Sequence, residues 1–372
     1  MGAIPCALAA AVNWPQFLQS YLVAYVFWLS VCLGAGGLLA LNYVVKCRWG
    51  VVIRRTAEAA AALIFLMALL LLPLLAGLPH LYQWARPEGL SADPALRHAA
   101  LFLQVPFVLG RLALYFLIWF ALAFLLKHWS VQQDQRGDPA CAKKLSGLSA
   151  VSVPIYVLTI SFFSVDMLLS LEPGWDSSIV GFMIGTDCLL TALAFIIVIV
   201  VLLAKDAPLR QALNTERVHD LGNLLMALVI FWAYIAFAQY LVLWMANLPE
   251  EVGWYVRRTQ GGWEWAARSL MGLHFALPLF LLLFRFIKRS TGSLIAVALF
   301  MLVMRWVDLL WTIAPTFRPV LYVHWLDVAL PLAMGGLWVA VFGWVLRRQP
   351  LLPLHAEVVD HGAEAAPAAE AI

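Results

Sequence analysis

Six ionisable residues lie inside long apolar stretches of this sequence, where a charged group is costly unless it is paired or hydrated. These residues are Asp166, Arg111, Asp187, His274, Arg305 and Asp308. Carboxylates, guanidinium groups and imidazole at such positions relay protons or contact a polar ligand inside a membrane. The six residues are therefore the candidate functional site. The simpler alternative is that each of them only fixes helix packing.

Asp166 belongs to a polar stripe. At helical spacing, one face of the stretch 152–175 carries Ser152, Tyr156, Thr159, Phe163, Asp166 and Ser170. The other faces are apolar and suit lipid or a packed neighbouring helix. The stripe indicates that Asp166 handles protons or contacts a ligand. The alternative is a buried Asp that hydrogen-bonds to a neighbouring helix.

Two further members of the set have polar neighbours at helical spacing. Arg305 and Asp308 are three residues apart, which permits a local ion pair. Arg111 shares a face with Gln104 and Tyr115, a grouping that suits either a carboxylate or a quinone carbonyl as acceptor.

The composition is that of a polytopic membrane protein. The chain has 372 residues, of which 64% are hydrophobic and 12% are charged, and its mean hydropathy is +0.88. A soluble domain carries about twice that charged fraction. The net charge of +3 does not indicate binding to nucleic acid, because the cations follow membrane topology.

The cysteine and histidine patterns predict that this chain binds no metal. Its five cysteines form no C-x-x-C pair and no C-x-x-C-H motif, which argues against covalent haem, an iron–sulfur cluster or a zinc site. His274 is the only histidine deep in an apolar span. A low-spin b-type haem needs two axial ligands on facing helices, and the second is missing. We therefore do not expect a di-haem cytochrome b.

Nine apolar stretches are each long enough to cross a bilayer, for which about twenty residues suffice. They lie at about 19–45, 57–79, 101–126, 147–170, 179–204, 219–246, 266–286, 292–313 and 325–346. We therefore predict an all-α polytopic membrane protein with two four-helix bundles, at about 19–170 and 179–313, and a peripheral helix at about 325–346. Residues 1–18 are predicted to be a short outer segment. The tail 347–372 is predicted to be disordered and cytoplasmic.

The distribution of Lys and Arg predicts the orientation. Sixteen of these residues lie in the loops after the odd-numbered spans and six lie on the opposite side. The positive-inside rule therefore places the N-terminus outside and the C-terminus in the cytoplasm, with Cys141 cytoplasmic and residues 247–265 outside. With a rise of about 1.5 Å per residue, all six candidate residues are predicted to share one depth in the outer half of the membrane.

Four segments together resemble one family. They are 78–85 (LPHLYQWA), 166–175 (DMLLSLEPGW), 239–251 (QYLVLWMANLPEE) and 305–311 (RWVDLLW). This set resembles the ActF-type integral subunits of bacterial alternative complex III, in the wider NrfD and polysulfide-reductase membrane-subunit family. The likeness runs from about residue 17 to residue 344. The sequence departs from the family pattern in having nine spans rather than ten, and in reading Val165-Asp166-Met167 where Phe-Asp-Trp is common.

The resemblance implies a subunit of a quinol:electron-acceptor (cytochrome c) oxidoreductase complex in the bacterial inner membrane. The implied partners are a sister NrfD-like subunit, an iron–sulfur subunit and c-haem subunits, which hold the redox centres; quinone or quinol is the implied small-molecule ligand. The chain is then not expected to be catalytic alone. Two other interpretations stay open, namely a secondary transporter that uses the same acids and a scaffold whose acids only lock helices together.

Overall fold

The computed structural model describes residues 13–86, 96, 101–136, 139–172, 175, 177–205 and 209–353. These residues form helices and connecting segments without any strand, and they include nine helical segments long and apolar enough to span a membrane. The prediction of an all-α polytopic membrane protein is confirmed.

We number the nine spanning segments α1 to α9 in chain order. They are Trp14–Val45, Arg48–Ala76, Val105–Gln135, Ala140–Leu171, Val180–Leu203, Thr215–Ala246, Trp263–Leu283, Thr291–Thr316 and Trp325–Leu346. Shorter helices in the connecting segments are Leu78–Leu81, Gln83–Ala85, Leu209–Ala212, Pro249–Arg258 and Arg285–Arg289. The connections after α1, α3, α5, α7 and α9, together with the helix ends beside them, hold 16 of the 24 Lys and Arg residues, and we call this side the basic end. The opposite side is called the aromatic end.

The helix boundaries differ from the sequence predictions where polar residues continue a helix. α1 begins at Trp14, so the predicted outer segment 1–18 is wrong in its last residues. Asn13 caps the helix by accepting a hydrogen bond from the Gln16 amide at 3.2 Å, and Pro15 occupies the first turn. Residues 1–12, and residues 354–372 of the predicted tail, lie outside the described residues.

α3 and α4 also extend past their apolar parts at the basic end. Their helices are Val105–Arg136 and Pro139–Met167, whereas hydropathy predicted 101–126 and 147–170. Hydropathy detects only the part of a helix that suits lipid. Both helices therefore continue past their apolar parts at the basic end. This extension brings further charged side chains, such as Asp134 on α3, into contact with neighbouring helices.

Helix contacts run in two rings of four. α1, α2, α3 and α4 each pack on the next, and α4 packs back on α1; α5 to α8 repeat this pattern. α1 and α5 are the two most deeply buried spans and pack on each other more extensively than any other pair. The two bundles are therefore joined through their first helices.

Glycine makes the α1–α5 contact possible. A Cβ atom added at Gly34 would overlap the backbone carbonyl of Cys188 on α5, and one added at Gly36 would overlap the Tyr156 hydroxyl on α4. Small residues allow helices in membranes to approach this closely. α1 therefore lies against both α4 and α5 with little space between the backbones.

Aromatic side chains attach α9 to the outside of this core. The Trp338 ring lies 5.1 Å from the rings of both Trp28 on α1 and Phe195 on α5. Trp28 Nε1 also donates to the Pro331 carbonyl on α9 at 2.9 Å. These contacts place α9 beside α1.

We predict that Gly34→Leu destabilises the folded protein by about 3 kcal/mol or more, because the obstacle is backbone that cannot move aside. The measurement is the monodisperse yield and thermal unfolding midpoint in detergent. Gly336→Leu on α9 is the matched control, since a Cβ there meets nothing within 4 Å. Equal yields of the two variants would contradict the close α1–α5 contact.

The orientation predicted from Lys and Arg is testable with exposed positions. Cys141 itself is a poor probe because it is only 4% exposed. In a cysteine-free background, Lys143→Cys at the basic end should react with an impermeant thiol reagent only after cells are opened. Gln260→Cys at the aromatic end should react in intact cells. The reverse pattern would invert the topology.

Candidate functional site

The six predicted site residues form two separate clusters, one in each bundle. Arg111 and Asp166 meet between α3 and α4, whereas Asp187, Arg305 and Asp308 meet between α5 and α8. Among the described residues, no ion pair or hydrogen bond links the two clusters. Arg111, Asp166, Asp187 and Asp308 lie in the half of their helices nearest the aromatic end, whereas His274 and Arg305 lie near the middle, and the six do not form one site.

The first cluster, which we call the α3–α4 pair, is a bidentate ion pair. Arg111 donates through Nε to Asp166 Oδ2 at 3.0 Å and through Nη2 to Oδ1 at 2.6 Å, and the Tyr115 hydroxyl donates to Oδ2 at 3.0 Å. The Arg111 guanidinium also lies over the rings of Phe102 and Phe107, at 3.7 and 4.6 Å from their centroids. Of the two acceptors predicted for Arg111 and Tyr115, a carboxylate or a quinone carbonyl, the structure shows a carboxylate, that of Asp166.

The polar stripe behind Asp166 faces the interior of the bundle. All six of its residues are buried, and the Trp119 indole donates to Thr159 Oγ1 at 2.8 Å. Ser152 and Thr159 donate to the backbone carbonyls four residues earlier, so these hydroxyls are satisfied within their own helix. Asp166 is the only charged member of the stripe.

The second cluster, which we call the α5–α8 triad, has one cation between two acids. Arg305 Nη1 lies 2.8 Å from Asp187 Oδ1 and also binds Asp308 Oδ2, and Arg305 Nε donates to Thr191 Oγ1 at 3.2 Å. All three charged side chains are buried. The predicted Arg305–Asp308 pair is present, and Asp187 joins it from the facing helix. With both acids ionised, the triad holds an excess negative charge inside the membrane span.

His274 lies beside the triad on α7. Its ring is 4.2 Å from the ring of Trp232 on α6, and it lies close to Arg305. Neither ring nitrogen bonds to a side chain of the described residues, and the ring lies against the Met304 backbone. His274 belongs to a π-helical stretch, Leu270–Ala276, and π-helical turns are frequent at functional sites. The side chain is thus a buried imidazole next to the triad.

A third charged cluster at the aromatic end was not singled out from the sequence. Glu172, just after α4, binds Arg258 at 2.8 Å, Arg257 at 3.1 Å and the Thr316 hydroxyl at 2.6 Å. Burial lowers the pKa of Arg258 to about 10, while the Glu172 carboxylate opposes this change, so Arg258 stays protonated at neutral pH. The sequence feature that could have identified Glu172 as a candidate is its position inside the 166–175 segment.

Three of the segments that carry the family resemblance meet around this cluster. Trp175 stacks on Trp254 with ring centroids 4.5 Å apart, and the Trp311 indole donates to the Arg258 carbonyl at 3.1 Å. Ser177 donates to Gln239 Oε1 at 2.8 Å. Their polar and aromatic residues therefore tie the aromatic ends of α4, α6 and α8 to the helix Pro249–Arg258.

A fourth charged cluster lies near the basic end. Arg55 on α2 binds Glu58 at 2.6 Å and also Asp134 on α3, and it donates to Ser130 at 3.2 Å. Tyr43 donates to Glu58 at 3.2 Å. Arg55 was counted from the sequence as a loop cation, although the i, i+3 spacing of Arg55 and Glu58 is a readable signal of an ion pair.

Comparison of the chain with models of protein families and with curated proteins gives no match. The family resemblance therefore stays a prediction that depends on its sequence segments. In the described part of the chain, no group of three or more His, Cys, Asp or Glu side chains is arranged to hold a metal ion.

We predict that Arg305→Met lowers stability by about 3–5 kcal/mol, because it leaves two carboxylates buried without a cation. The triple variant with Asp187→Asn and Asp308→Asn should recover most of the loss, since no buried charge then remains. The measurement is the thermal unfolding midpoint of each purified variant. Wild-type stability of Arg305→Met alone would contradict the ion triad.

Proposed function

We propose that this chain is an integral membrane subunit of a quinol:electron-acceptor oxidoreductase complex of the alternative complex III type. In this proposal it lies in the bacterial inner membrane with its N-terminus outside and its C-terminus in the cytoplasm. Its partners are a sister NrfD-like subunit, an iron–sulfur subunit and c-haem subunits. These partners carry the redox centres, and this chain contributes proton transfer.

The observation that carries the proposal is the charge imbalance of the α5–α8 triad. One guanidinium faces two buried carboxylates, and an uncompensated charge in a membrane interior is strongly unfavourable. One bound proton shared by Asp187 and Asp308 removes that charge, and two interacting acids then titrate as a pair. The triad therefore has the composition of a site that binds and releases one proton, with His274 as its neighbouring acceptor.

The α3–α4 pair has a different charge balance. Arg111 and Asp166 neutralise each other, so the ionised pair needs no bound proton. Arg111 Nη1 has no acceptor among the described residues. In the proposal, a quinone carbonyl would accept from this donor, and Asp166 would take a proton when its contact with Arg111 is broken.

Helix continuity favours proton transfer over the transporter alternative. Secondary transporters commonly bind substrate at broken helices near the midplane. α5 and the α-helix Thr291–Ile313 of α8 continue without interruption past Asp187, Arg305 and Asp308. This arrangement supports a fixed proton site rather than an alternating one.

We predict that Asp187→Asn leaves the complex assembled but abolishes proton release coupled to quinol oxidation. The variant removes the excess charge and keeps the neutral Arg305–Asp308 pair, so folding should be normal. Turnover and proton stoichiometry are measured on the purified complex, with Glu216→Gln as a control that removes an exposed acid outside the triad. Full turnover and unchanged stoichiometry in Asp187→Asn would leave only the scaffold interpretation.

Asp166→Asn separates the roles of the two clusters. Its amide oxygen can still accept from Arg111 and Tyr115, so assembly should persist while turnover falls. The isolated wild-type chain should not oxidise quinol. Quinol oxidation by the chain alone, or a native chain that purifies without any redox partner, would contradict the proposed complex.

A further inference from the structure

The surface near α3 and α9 at the basic end carries cations that form no ion pair with an acid among the described residues. Lys127 on α3 is half-buried and forms no ion pair or hydrogen bond among the described residues. The acid near it, Glu58, is already bound by Arg55 and Tyr43. A half-buried ammonium group without a counter-ion is unfavourable.

A second helix adds like charge to the same place. Arg348 follows α9 and lies close enough to Lys127 for the two positive charges to repel each other. Arg347 precedes it and is exposed. The Arg348 guanidinium lies over the Trp344 ring at 3.5 Å from its centroid. Two helices therefore present cations to one position at the edge of the apolar region, beside an exposed tryptophan of the type common at membrane interfaces.

An apolar surface continues from these cations into the membrane span. α2 packs on both α3 and α9, and further along α2 the side chains of Phe65 and Leu69 are 41% and 60% exposed. The two residues lie about 10 and 16 Å beyond Glu58 along the helix. One leaflet of a bilayer core is about 15 Å deep, so this stripe has the length of an acyl chain.

We propose that the cations Lys127, Arg347 and Arg348, together with the α2 stripe of Phe65 and Leu69, bind one anionic phospholipid. Its phosphate lies between Lys127 and Arg348, and an acyl chain follows the stripe. Basic positions between spanning helices are known to hold anionic headgroups, with each cation contributing a few-fold in affinity. The site is independent of the α5–α8 triad and of the proposed redox complex.

The experiment titrates delipidated full-length protein with phosphatidylglycerol and, separately, with phosphatidylcholine, and counts bound lipid by native mass spectrometry. Wild type should bind one phosphatidylglycerol in preference to phosphatidylcholine. Lys127→Gln and Arg348→Gln should each weaken that binding about fivefold. Lys127→Arg should restore it because the charge is kept. Excess inorganic phosphate should not displace the lipid, because it lacks the apolar contacts.

Lys143→Gln is the matched control, since it removes an exposed cation at the same end away from the stripe. Equal weakening in all three glutamine variants would show a general charge effect and overturn the site. Equal affinity for the two lipids would also overturn it, as would displacement by inorganic phosphate. Phe65→Ser should weaken phosphatidylglycerol binding with the cations intact, and no effect would overturn the proposed acyl-chain position.

Discussion

An arginine buried at the depth of the hydrocarbon core must be paired with an acid of the protein, because the acyl chains around it carry no charge. This requirement decides how neighbouring helices of the chain are joined. Arg55 connects α2 to α3, Arg111 connects α3 to α4, and Arg305 connects α8 to α5. At the aromatic end, Arg258 binds Glu172 at 2.8 Å, and Arg318 binds Asp327 in the first turn of α9 at 2.6 Å. Each contact fixes the rotation of one helix against the next more specifically than apolar packing does.

Close packing of the bundle centres keeps these charges apart. α1 and α5 meet at Gly34 with little room between the backbones, and each of the two clusters lies within one ring of four helices. Asp166 therefore binds Arg111 within the first bundle. It does not reach Arg305 in the second bundle, although Arg305 Nη2 has no hydrogen-bond acceptor among the described residues. Among the described residues, no ion pair joins the two clusters directly.

The sequence was sufficient to predict the helical class, the nine spans and the candidate acids, because those depend on composition and local spacing. It predicted Arg305–Asp308, which is a contact within one helix. It could not predict that Asp187 joins this pair while Asp166 binds Arg111, because both contacts depend on helix rotation and neighbour choice. Depth along a helix is readable from residue number, whereas the direction of a side chain around the bundle is not. The polar helix end that contains Ser130 and Asp134 was missed for a related reason. A hydropathy pattern detects only the apolar part of a helix that lies in lipid, and not its polar continuation.

The two clusters show how charge balance, rather than residue type, distinguishes a neutral ion pair from an unbalanced ion triad. Both contain Asp and Arg, both are buried, and both join two helices of one bundle. In the α3–α4 pair, one acid meets one base, and the neutral arrangement is complete with the Tyr115 hydrogen bond. In the α5–α8 triad, the second acid cannot be neutralised by Arg305 as well, because one guanidinium carries one charge. A proton is the smallest species that can supply the missing charge without opening the helices. The His274 imidazole lies beside Arg305 and the Trp232 ring, at the edge of the triad.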